Sequence, residues 1–274
     1  MTVVAMTREM GTRGKDVAKI LVDRLDVQLV HHELVEASFD QHKAPRRSEV
    51  HRFLIGGAKS EKPCNSTPAT SGYMTPEEVF ALASRGNVII RGWGAARLLH
   101  SIPHILSVRI CAPLEDRVNE MMKRLGVDET VARREIERND ASHSTTFSRF
   151  FETDWRDQSH YDLVLNTGRM APETCADILV DAVMSPAFRE TDASRTALAD
   201  RLTEARINSL LRNADVVRTR SKNVYVAVSD GVAMLYGAVR DSGAAREIEK
   251  TVRTHTGINT VQNRIQTVGP FASA

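Results

Sequence analysis

The sequence predicts an α/β sandwich built on a parallel sheet, followed by a smaller α+β module. Two observations predict this architecture. Short runs rich in Val, Ile and Leu, typical of strands covered on both faces, alternate with segments of helical periodicity over the first two thirds of the chain. The module is predicted by a change of pattern beyond Pro186, where a helix is followed by two strands, another helix and a last strand.

The composition is that of an ordinary globular protein. The 274 residues suffice for one sizeable core and a small second domain, and 42% of them are hydrophobic and 26% charged. A net charge of +2 is too small to favour nucleic acid or a membrane surface, so we expect neither as a partner. Cys64, Cys111 and Cys175 are far apart and odd in number, which excludes a disulfide framework and fits a reducing compartment. With no export signal or membrane span in the pattern, we expect a cytoplasmic protein.

The first strand and helix flank a turn that contains glycines. Val3–Met6 is a short apolar run, and the apolar residues after Gly14 recur at helical spacing. Backbone N–H groups of such a turn, with the start of the helix, can bind phosphate. Gly14 and Lys15 match the end of the P-loop pattern G-x-x-x-x-G-K-[ST], but Glu9 replaces its first glycine and Asp16 its hydroxyl residue. This stretch alone leaves two interpretations open, a phosphate-binding turn and an ordinary strand–helix turn whose glycines serve packing.

Further strands and helices complete the predicted sandwich. Strands are predicted over Val88–Ile90, Ile105–Ile110 and Asp162–Leu165. Helices are predicted from "TPEE", within "PLEDRVNEMMKRLG" and within "APETCADILVDAV". In the first of these, Thr75 and Glu78 have the spacing of a capping box, which predicts where the helix begins.

The second module is predicted to fold as a separate unit. "SPAFRETDASR" has the composition of a linker, and a helix follows over Ala197–Leu211. Asp230 and Gly231 within "VYVAVSDGVAMLYGAV" are the strongest hairpin signal in the chain. A helix is predicted to end at Gly257, and "TVQNRIQTV" to form a last strand. The predicted divisions are a first domain over residues 1–185, a linker over 186–193 and a second domain over 194–268.

Three stretches of the first domain resemble the cytidylate kinase-like family of the P-loop nucleoside monophosphate kinase group. They are "TREMGTRGKDVAKILVDRL", "VIIRGWGAARLL" and "RNDASHSTTFSRFFETDWRDQSHYDLVLNT", the last of which resembles the lid of that family and the strand after it. The last is the most specific, because the spacing of its characteristic residues is hard to obtain by chance: Asp140, Arg149, Trp155, Tyr161, Asp162 and Asn166. "VYVAVSDGVAMLYGAV" and "GINTVQNRIQTV" are similar to a BON domain. The resemblance implies a P-loop kinase-type three-layer sandwich followed by a small α+β BON-like domain.

The resemblance also implies a reaction and a set of residues. The reaction is transfer of the γ-phosphoryl group of ATP, with Mg²⁺, to a nucleoside monophosphate such as CMP, which depends on positioning and on positive charge. The implied catalytic residues are Lys15, Arg138, Asp140, His143 and Arg149. Those implied to bind the cofactor are Gly11, Thr12, Arg13, Gly14, Lys15, Asp16, Arg117, Arg133 and Arg134. Those implied to bind the acceptor are His31, Arg46, Arg47, Arg52 and Arg91. No metal ligand is assigned. For any single lid arginine, an exposed ion pair with Glu135 or Glu137 remains an open alternative to a catalytic role.

Departures from the family pattern favour an alternative function. His31 stands where relatives carry an acidic residue, and a neutral imidazole is a poor ligand for Mg²⁺. His143 stands where the lid pattern has an arginine, so a permanent charge is replaced by one that titrates. The alternative is a catalytically weak nucleotide-binding regulatory protein whose BON-like domain binds a partner or self-associates.

Overall fold

The structure is a computed structural model that describes residues 1–31, 75–92, 94–213, 223–239, 241–258 and 260–268. Its larger sheet has five parallel strands in the order β2-β3-β1-β4-β5. These strands are β1 (Val3–Arg8), β2 (Gln28–His31), β3 (Val88–Arg91), β4 (Ile105–Cys111) and β5 (Leu163–Asn166). In the centre of the sheet, Val3 lies opposite both Val88 and Ile105. The parallel sheet is therefore confirmed.

Helices cover both faces of this sheet. The helices of this domain are α1 (Gly14–Leu25), α2 (Pro76–Arg85), α3 (Ala95–Leu99), α4 (Leu114–Leu125), α5 (Glu129–Phe151) and α6 (Pro172–Met184). Of these, α4 and α5 pack against each other in a separate cluster. On one face, Val3 and Ala5 pack with residues of α2 and α3. On the other face, Val4 and Met6 pack with residues of α1 and α6. The apolar side chains of β1 thus alternate between two cores, which makes the domain the three-layer sandwich that the sequence predicts.

Local signals account for several helix ends. The Thr75 hydroxyl accepts a hydrogen bond from the Glu78 backbone N–H at 3.2 Å, and the Glu78 carboxylate accepts one from the Thr75 N–H at 2.7 Å. This capping box begins α2 as predicted. Asp128 caps α5 in a similar way, since its carboxylate accepts a hydrogen bond from the Val131 N–H.

Three elements of the first domain escape the sequence patterns, and one of them is α3, which has only five residues. Strand β2 has four residues and is exposed at both ends, so it lacks the apolar run that predicts a buried strand. Helix α5 has 23 residues with five buried side chains, and its long polar stretches hide the helical period. The resemblance identifies this segment as a lid without assigning it a secondary structure.

The second module is a three-stranded sheet with helices on one face. Strand β6 (Asn223–Ser229) pairs antiparallel with β7 (Val232–Val239), and β8 (Thr260–Thr267) pairs parallel with β7. The turn at Asp230 and Gly231 has φ angles of 50° and 73°, as a type I′ hairpin requires, so the hairpin prediction is confirmed. Helix α8 (Ser242–Thr256) connects β7 to β8 and buries Ile248 and Val252 in the core of the module.

Helix α7 (Asp192–Asn213) contributes to both cores. The predicted linker 186–193 contains a 3-10 turn over Pro186–Phe188 and the first two residues of this helix. Leu198 is buried in the core of the larger sheet, whereas Ile207 and Leu211 are buried in that of the smaller one. The helix begins five residues before the predicted Ala197, and the division into two separately folding domains stays a prediction.

Asp200 of α7 fastens the hairpin of the smaller sheet. Its carboxylate accepts hydrogen bonds from the backbone N–H groups of Asp230 at 2.7 Å and Gly231 at 3.0 Å. One helix therefore both packs on the first domain and holds a turn of the second.

Of the helices that the structure describes, none is long and apolar enough to cross a membrane.

Candidate functional site

The turn between β1 and α1 is closed by its own hydrogen bonds. The Thr12 hydroxyl donates to the Glu9 carbonyl oxygen at 2.8 Å and accepts from the Gly14 N–H at 3.4 Å. Gly11 has a φ of +82°, and a Cβ atom there would lie 2.6 Å from the carbonyl oxygen of Arg117. Gly11, Thr12 and Gly14 therefore shape this turn, and the buried Thr12 hydroxyl is used within it.

The start of α1 supports the interpretation of a phosphate-binding turn. Arg13 occupies its N-cap position, and its side chain makes no capping hydrogen bond. The first N–H groups of α1 and the positive end of its dipole thus face the turn. Lys15 follows directly, in the position where a P-loop carries its lysine.

Lys15 lies within a group of cations. The pKa of its ammonium is lowered from 10.5 to about 8, first by burial and then by the positive charges of Arg8, Arg91 and Arg124. Asp16 has the opposite, smaller effect. A lysine whose charge is disfavoured in this way gains it back when an anion binds beside it. The cluster is therefore suited to a polyanion.

His31 is a neutral hydrogen-bond donor in this cluster. Its Nε2 lies 3.0 Å from Nη2 of Arg91, and because a guanidinium only donates, Nε2 accepts and the proton is on Nδ1. The pKa of His31 is lowered to about 3, first by loss of solvation and then by the charges of Arg91, Arg8 and Lys15. Unlike the carboxylate of the family pattern, His31 thus offers a donor.

Asp16 is the exposed carboxylate of the turn. Its Oδ2 lies 3.6 Å from Nε of Arg13 and 3.8 Å from Nη2 of Arg124. The side chain is 44% exposed, so these are loose surface pairs. Arg124 of α4 therefore reaches the beginning of α1.

Two residues that the resemblance assigns to different roles contact each other. Arg117 of α4 donates two hydrogen bonds to the Asp140 carboxylate of α5, at 3.2 and 2.9 Å, and both side chains are buried. Arg117 also donates to the Met10 carbonyl oxygen in the turn at 3.3 Å. The structure thus joins the turn to the lid helix through this pair.

The characteristic aromatic residues after the lid form an anchor. The Trp155 indole N–H donates to the Ser144 hydroxyl at 2.9 Å, and the Tyr161 hydroxyl donates to the Trp155 carbonyl oxygen at 2.7 Å. His143 packs edge to face on Trp155, with ring centroids 5.9 Å apart. Phe147 is buried in contact with Trp155 and Phe151, as the packing of a core requires. These residues fix the end of α5 to the sheet.

The remaining lid arginines are spread over α5. Arg133 is paired with Glu115 at 2.8 Å and Glu129 at 3.1 Å, and hydrogen bonding, first to Glu115, raises its pKa. Arg133 therefore follows the surface-pair alternative, although with partners other than those the sequence suggests. The exposed lid arginines are Arg134, Arg138 and Arg149. The predicted acceptor residues Arg46, Arg47 and Arg52 lie outside the described residues.

A cavity of about 470 Å³ opens beside the turn. Gly11 and Arg13 line one side of it, and Thr167 and Gly168, which follow β5, line another. Ala112 and four polar residues of α4 complete the lining: Asp116, Asn119, Glu120 and Lys123. A volume of this size is typical of a small-molecule site.

Sequence reasoning missed several residues of this site. The four polar residues of α4 that line the cavity are spaced three, one and three residues apart, which places them on one face of the helix. This spacing could have indicated a polar stripe on α4. Arg8, which lies directly before the turn, is part of the cation cluster around Lys15 and was also missed. Arg8 lies in the resembling stretch "TREMGTRGKDVAKILVDRL", but the resemblance assigns it no role, because only the sheet brings it into this cluster.

Comparisons with known proteins agree with this architecture. The model of the cytidylate kinase-like family matches residues 3–169, and that of the BON domain matches residues 199–269. A cytidylate kinase of Sulfolobus acidocaldarius is 28% identical over 173 residues, which are 63% of this chain and 89% of that protein. Cytidylate kinases of Methanocaldococcus jannaschii and Methanopyrus kandleri are 32% and 33% identical over 104 and 109 residues, or 37% of this chain in each case. The matches span 58% and 56% of those two proteins.

The family model covers more than half of the chain, and the region it matches contains the turn, the cation cluster and the lid helix. The chain therefore belongs to the cytidylate kinase-like family, and it carries a BON domain after its nucleotide kinase-like domain.

Proposed function

We propose that this chain transfers the γ-phosphoryl group of ATP to a nucleoside monophosphate such as CMP. The observation that carries the proposal is the cation cluster at the start of α1, where the positive charges of Arg8, Lys15 and Arg91 lie close together beside the neutral His31. Such a set binds phosphate groups. It suits a reaction in which donor and acceptor are both phosphates.

The same cluster favours a phosphate acceptor over a hydroxyl acceptor. A hydroxyl group needs a base to remove its proton, whereas a phosphate monoester, with a second pKa near 6, is already ionised at neutral pH. His31 cannot serve as that base, because its Nε2 is engaged by Arg91 and its pKa is about 3. A nucleoside monophosphate therefore matches this end of the site.

The donor nucleotide would bind across the turn. Its phosphates would lie against the backbone of residues 11–14 and the Lys15 ammonium, where the helix dipole and the charge stabilise them. Gly11 and Arg13 line the adjacent cavity as well as the turn, so the base and ribose would enter that cavity. There the polar stripe of α4 offers carboxylate and amide groups to the hydroxyl and amino groups of the nucleoside.

The residues around the turn are compatible with Mg²⁺ that is bound together with the nucleotide. Protein sites usually hold this ion through one or two carboxylates and the phosphates of the substrate. Asp16 is an exposed carboxylate at the turn and could fill that role, while the described ranges contain no group of three acidic, histidine or cysteine side chains placed for a metal. When bound, the ion would neutralise part of the phosphate charge.

Phosphoryl transfer by the full chain tests the proposal. Purified protein is incubated with ATP, Mg²⁺ or Mn²⁺, and each of CMP, UMP, AMP and GMP, and the formation of ADP and of the nucleoside diphosphate is measured. We expect CDP formation that Lys15→Met abolishes and that the exposed, remote Asp177→Asn leaves unchanged. Binding of ATP without diphosphate formation from any acceptor would contradict the proposal.

A second function is favoured by the residues that depart from the family pattern. Asp16 replaces the P-loop hydroxyl residue, and His143 packs against Trp155 where the pattern has an arginine. In this alternative the chain binds a nucleotide with little turnover, and the BON domain, an interaction module, binds a protein partner or a second copy. Calorimetry with ATP and light scattering with and without ATP test it. A nucleotide-dependent change in mass, with no diphosphate formed, would favour this function over the first.

A further inference from the structure

Glu9 turns its carboxylate into the protein from a turn that is suited to bind anions. The side chain is 8% exposed, and its Oε1 accepts a hydrogen bond from Nη2 of Arg109 on β4 at 2.5 Å. Its Oε2 accepts from the Ala112 N–H at 3.4 Å and lies 3.6 Å from Nε of Arg117. Glu9 occupies the position of the first P-loop glycine, so a buried ion pair stands where that pattern has no side chain.

Arg117 continues this contact to the lid helix. Its guanidinium lies between two carboxylates, that of Glu9 in the turn and that of Asp140 in α5. Asp140 also lies 3.5 Å from Nη2 of Arg156, which follows the lid. The chain of charges therefore runs without interruption from the turn through α4 to α5 and the segment after it.

The backbone of the turn is tied to the same arginine. Arg117 donates to the Met10 carbonyl oxygen, and Gly11 packs directly against the Arg117 backbone. The Glu9 N–H donates to the Ile110 carbonyl oxygen of β4 at 3.0 Å. A shift of Arg117 would thus displace the turn itself.

The charges of this network compensate one another. Two carboxylates near a polyphosphate would repel it, but Glu9 and Asp140 are matched by the cations of Arg109, Arg117 and Arg156. Because Glu9, Arg117 and Asp140 are buried, loss of one of them leaves an uncompensated charge that the surroundings must accommodate by moving. Such a network is suited to hold parts of the site in place.

The geometry points to Glu9 as a positioning residue: through Arg117 it holds the phosphate-binding turn in register with the lid helix at Asp140. The position of the turn then depends on α5, and the affinity for a polyphosphate depends on both carboxylates jointly. The affinity part rests on the proposed nucleotide-binding function. The coupling of turn to lid does not.

Hydrogen exchange of the unliganded full chain tests the coupling without any nucleotide. Variants Glu9→Gln, Asp140→Asn and their combination are compared with Asp177→Asn, which breaks an exposed ion pair between Asp177 and Arg24. We expect exchange at the amides of residues 10–14 to become about tenfold faster in each single variant, with no change in the control. The double variant should exceed the single ones only slightly, because both act through Arg117.

Nucleotide affinity gives the second measurement. Calorimetric titration with ATP should show about tenfold weaker binding in each single variant, and again less than the product of the two effects in the double variant. If Glu9→Gln does not fold, Arg117→Lys replaces it, since a lysine keeps the charge but loses the paired hydrogen bonds to Asp140. Thermal unfolding of every variant separates local from global effects.

The two outcomes that overturn the proposal are distinct from failure of the proposed function. Unchanged exchange in the turn of Asp140→Asn would show that the lid does not position it. Effects of the two variants that multiply in full would show that they act independently. Absence of ATP binding in the unmodified chain would instead contradict the proposed function, and the exchange data would still decide whether Glu9 couples turn and lid.

Discussion

The protonation of Lys15 should control the affinity of the site for polyphosphates. Burial and the cations of Arg8, Arg91 and Arg124 lower its pKa to about 8, whereas a bound polyphosphate favours the charged ammonium and raises the pKa again. Binding above pH 8 therefore requires uptake of a proton. The affinity for ATP should fall as the pH rises through 8.

The size of the effect follows from the pKa. The charged fraction of Lys15 in the unliganded protein falls from about 0.9 at pH 7 to about 0.1 at pH 9. If Lys15 stays charged in the complex, the dissociation constant of ATP should rise about tenfold over this interval. The terminal phosphate of ATP is already ionised there, so its own titration does not account for the change.

Calorimetric titration at pH 7, 8 and 9 and constant ionic strength measures this effect. At pH 8, titrations in two buffers of different ionisation enthalpy should show uptake of about half a proton per ATP bound. In Lys15→Arg, whose guanidinium stays charged, the dependence should disappear. Lys15→Met should bind weakly at every pH.

Stability should respond to pH in the opposite sense. The pKa of Lys15 is lower in the folded than in the unfolded chain, so the unfolded state binds more protons around pH 9, and the free energy of unfolding should rise from pH 8 to 10. A dissociation constant that is the same at pH 7 and pH 9, with no proton uptake, would refute the reasoning.

Three further tests address other parts of the structure. Gly11→Ala should lower the free energy of unfolding by about 1–3 kcal/mol and weaken ATP binding, because of its φ of +82° and the close backbone of α4. Gly126→Ala is the control: its φ is +67° but the added Cβ has open space, so it should lower the free energy of unfolding by about 1 kcal/mol and leave ATP binding unchanged. If denaturant titration gives the same loss of stability for both variants, the close approach of Gly11 to α4 does not matter. Leu198→Ala should destabilise the chain by about 2–4 kcal/mol, because Leu198 is buried in the core of the larger sheet. A fragment of residues 1–185 lacks Leu198 and should be destabilised as well. If that fragment unfolds cooperatively at full stability, α7 is dispensable to the first domain. His31→Asp should raise the KM for CMP, because a carboxylate repels the acceptor phosphate. His31→Asn, whose amide still donates a hydrogen bond, should change the KM little. A lower KM in the aspartate variant would indicate a metal-binding position instead.

Much of the fold follows from short-range signals in the sequence. The capping box at Thr75 and Glu78 forms as the spacing predicts, because both partners lie within one helical turn. The hairpin at Asp230 and Gly231 forms because these residues adopt positive φ angles readily. Strand β2 was missed because its four residues carry too little apolar pattern to be distinguished from a loop.

The candidate site was predicted less completely, because its properties arise between distant segments. The sequence indicated the turn, Lys15 and a lid rich in arginines. It did not indicate that Arg117 is enclosed by Glu9 and Asp140, since these three residues come from the turn, α4 and α5. Nor does a run of residues predict that Arg8 lies beside Lys15 and Arg91.

The sequence by itself determined the strand–turn–helix from β1 to α1, the family, and the hairpin of the second module. These depend on glycine conformation, helix capping and apolar period, which act over a few residues. Only the tertiary structure decided that His31 is a neutral donor, that Glu9 points inward and that α7 contributes to two cores. The ionisation of a side chain depends on its burial and on neighbouring charges, and its ion-pair partners depend on which helices and strands contact each other. Both are set only when distant segments of the chain pack together.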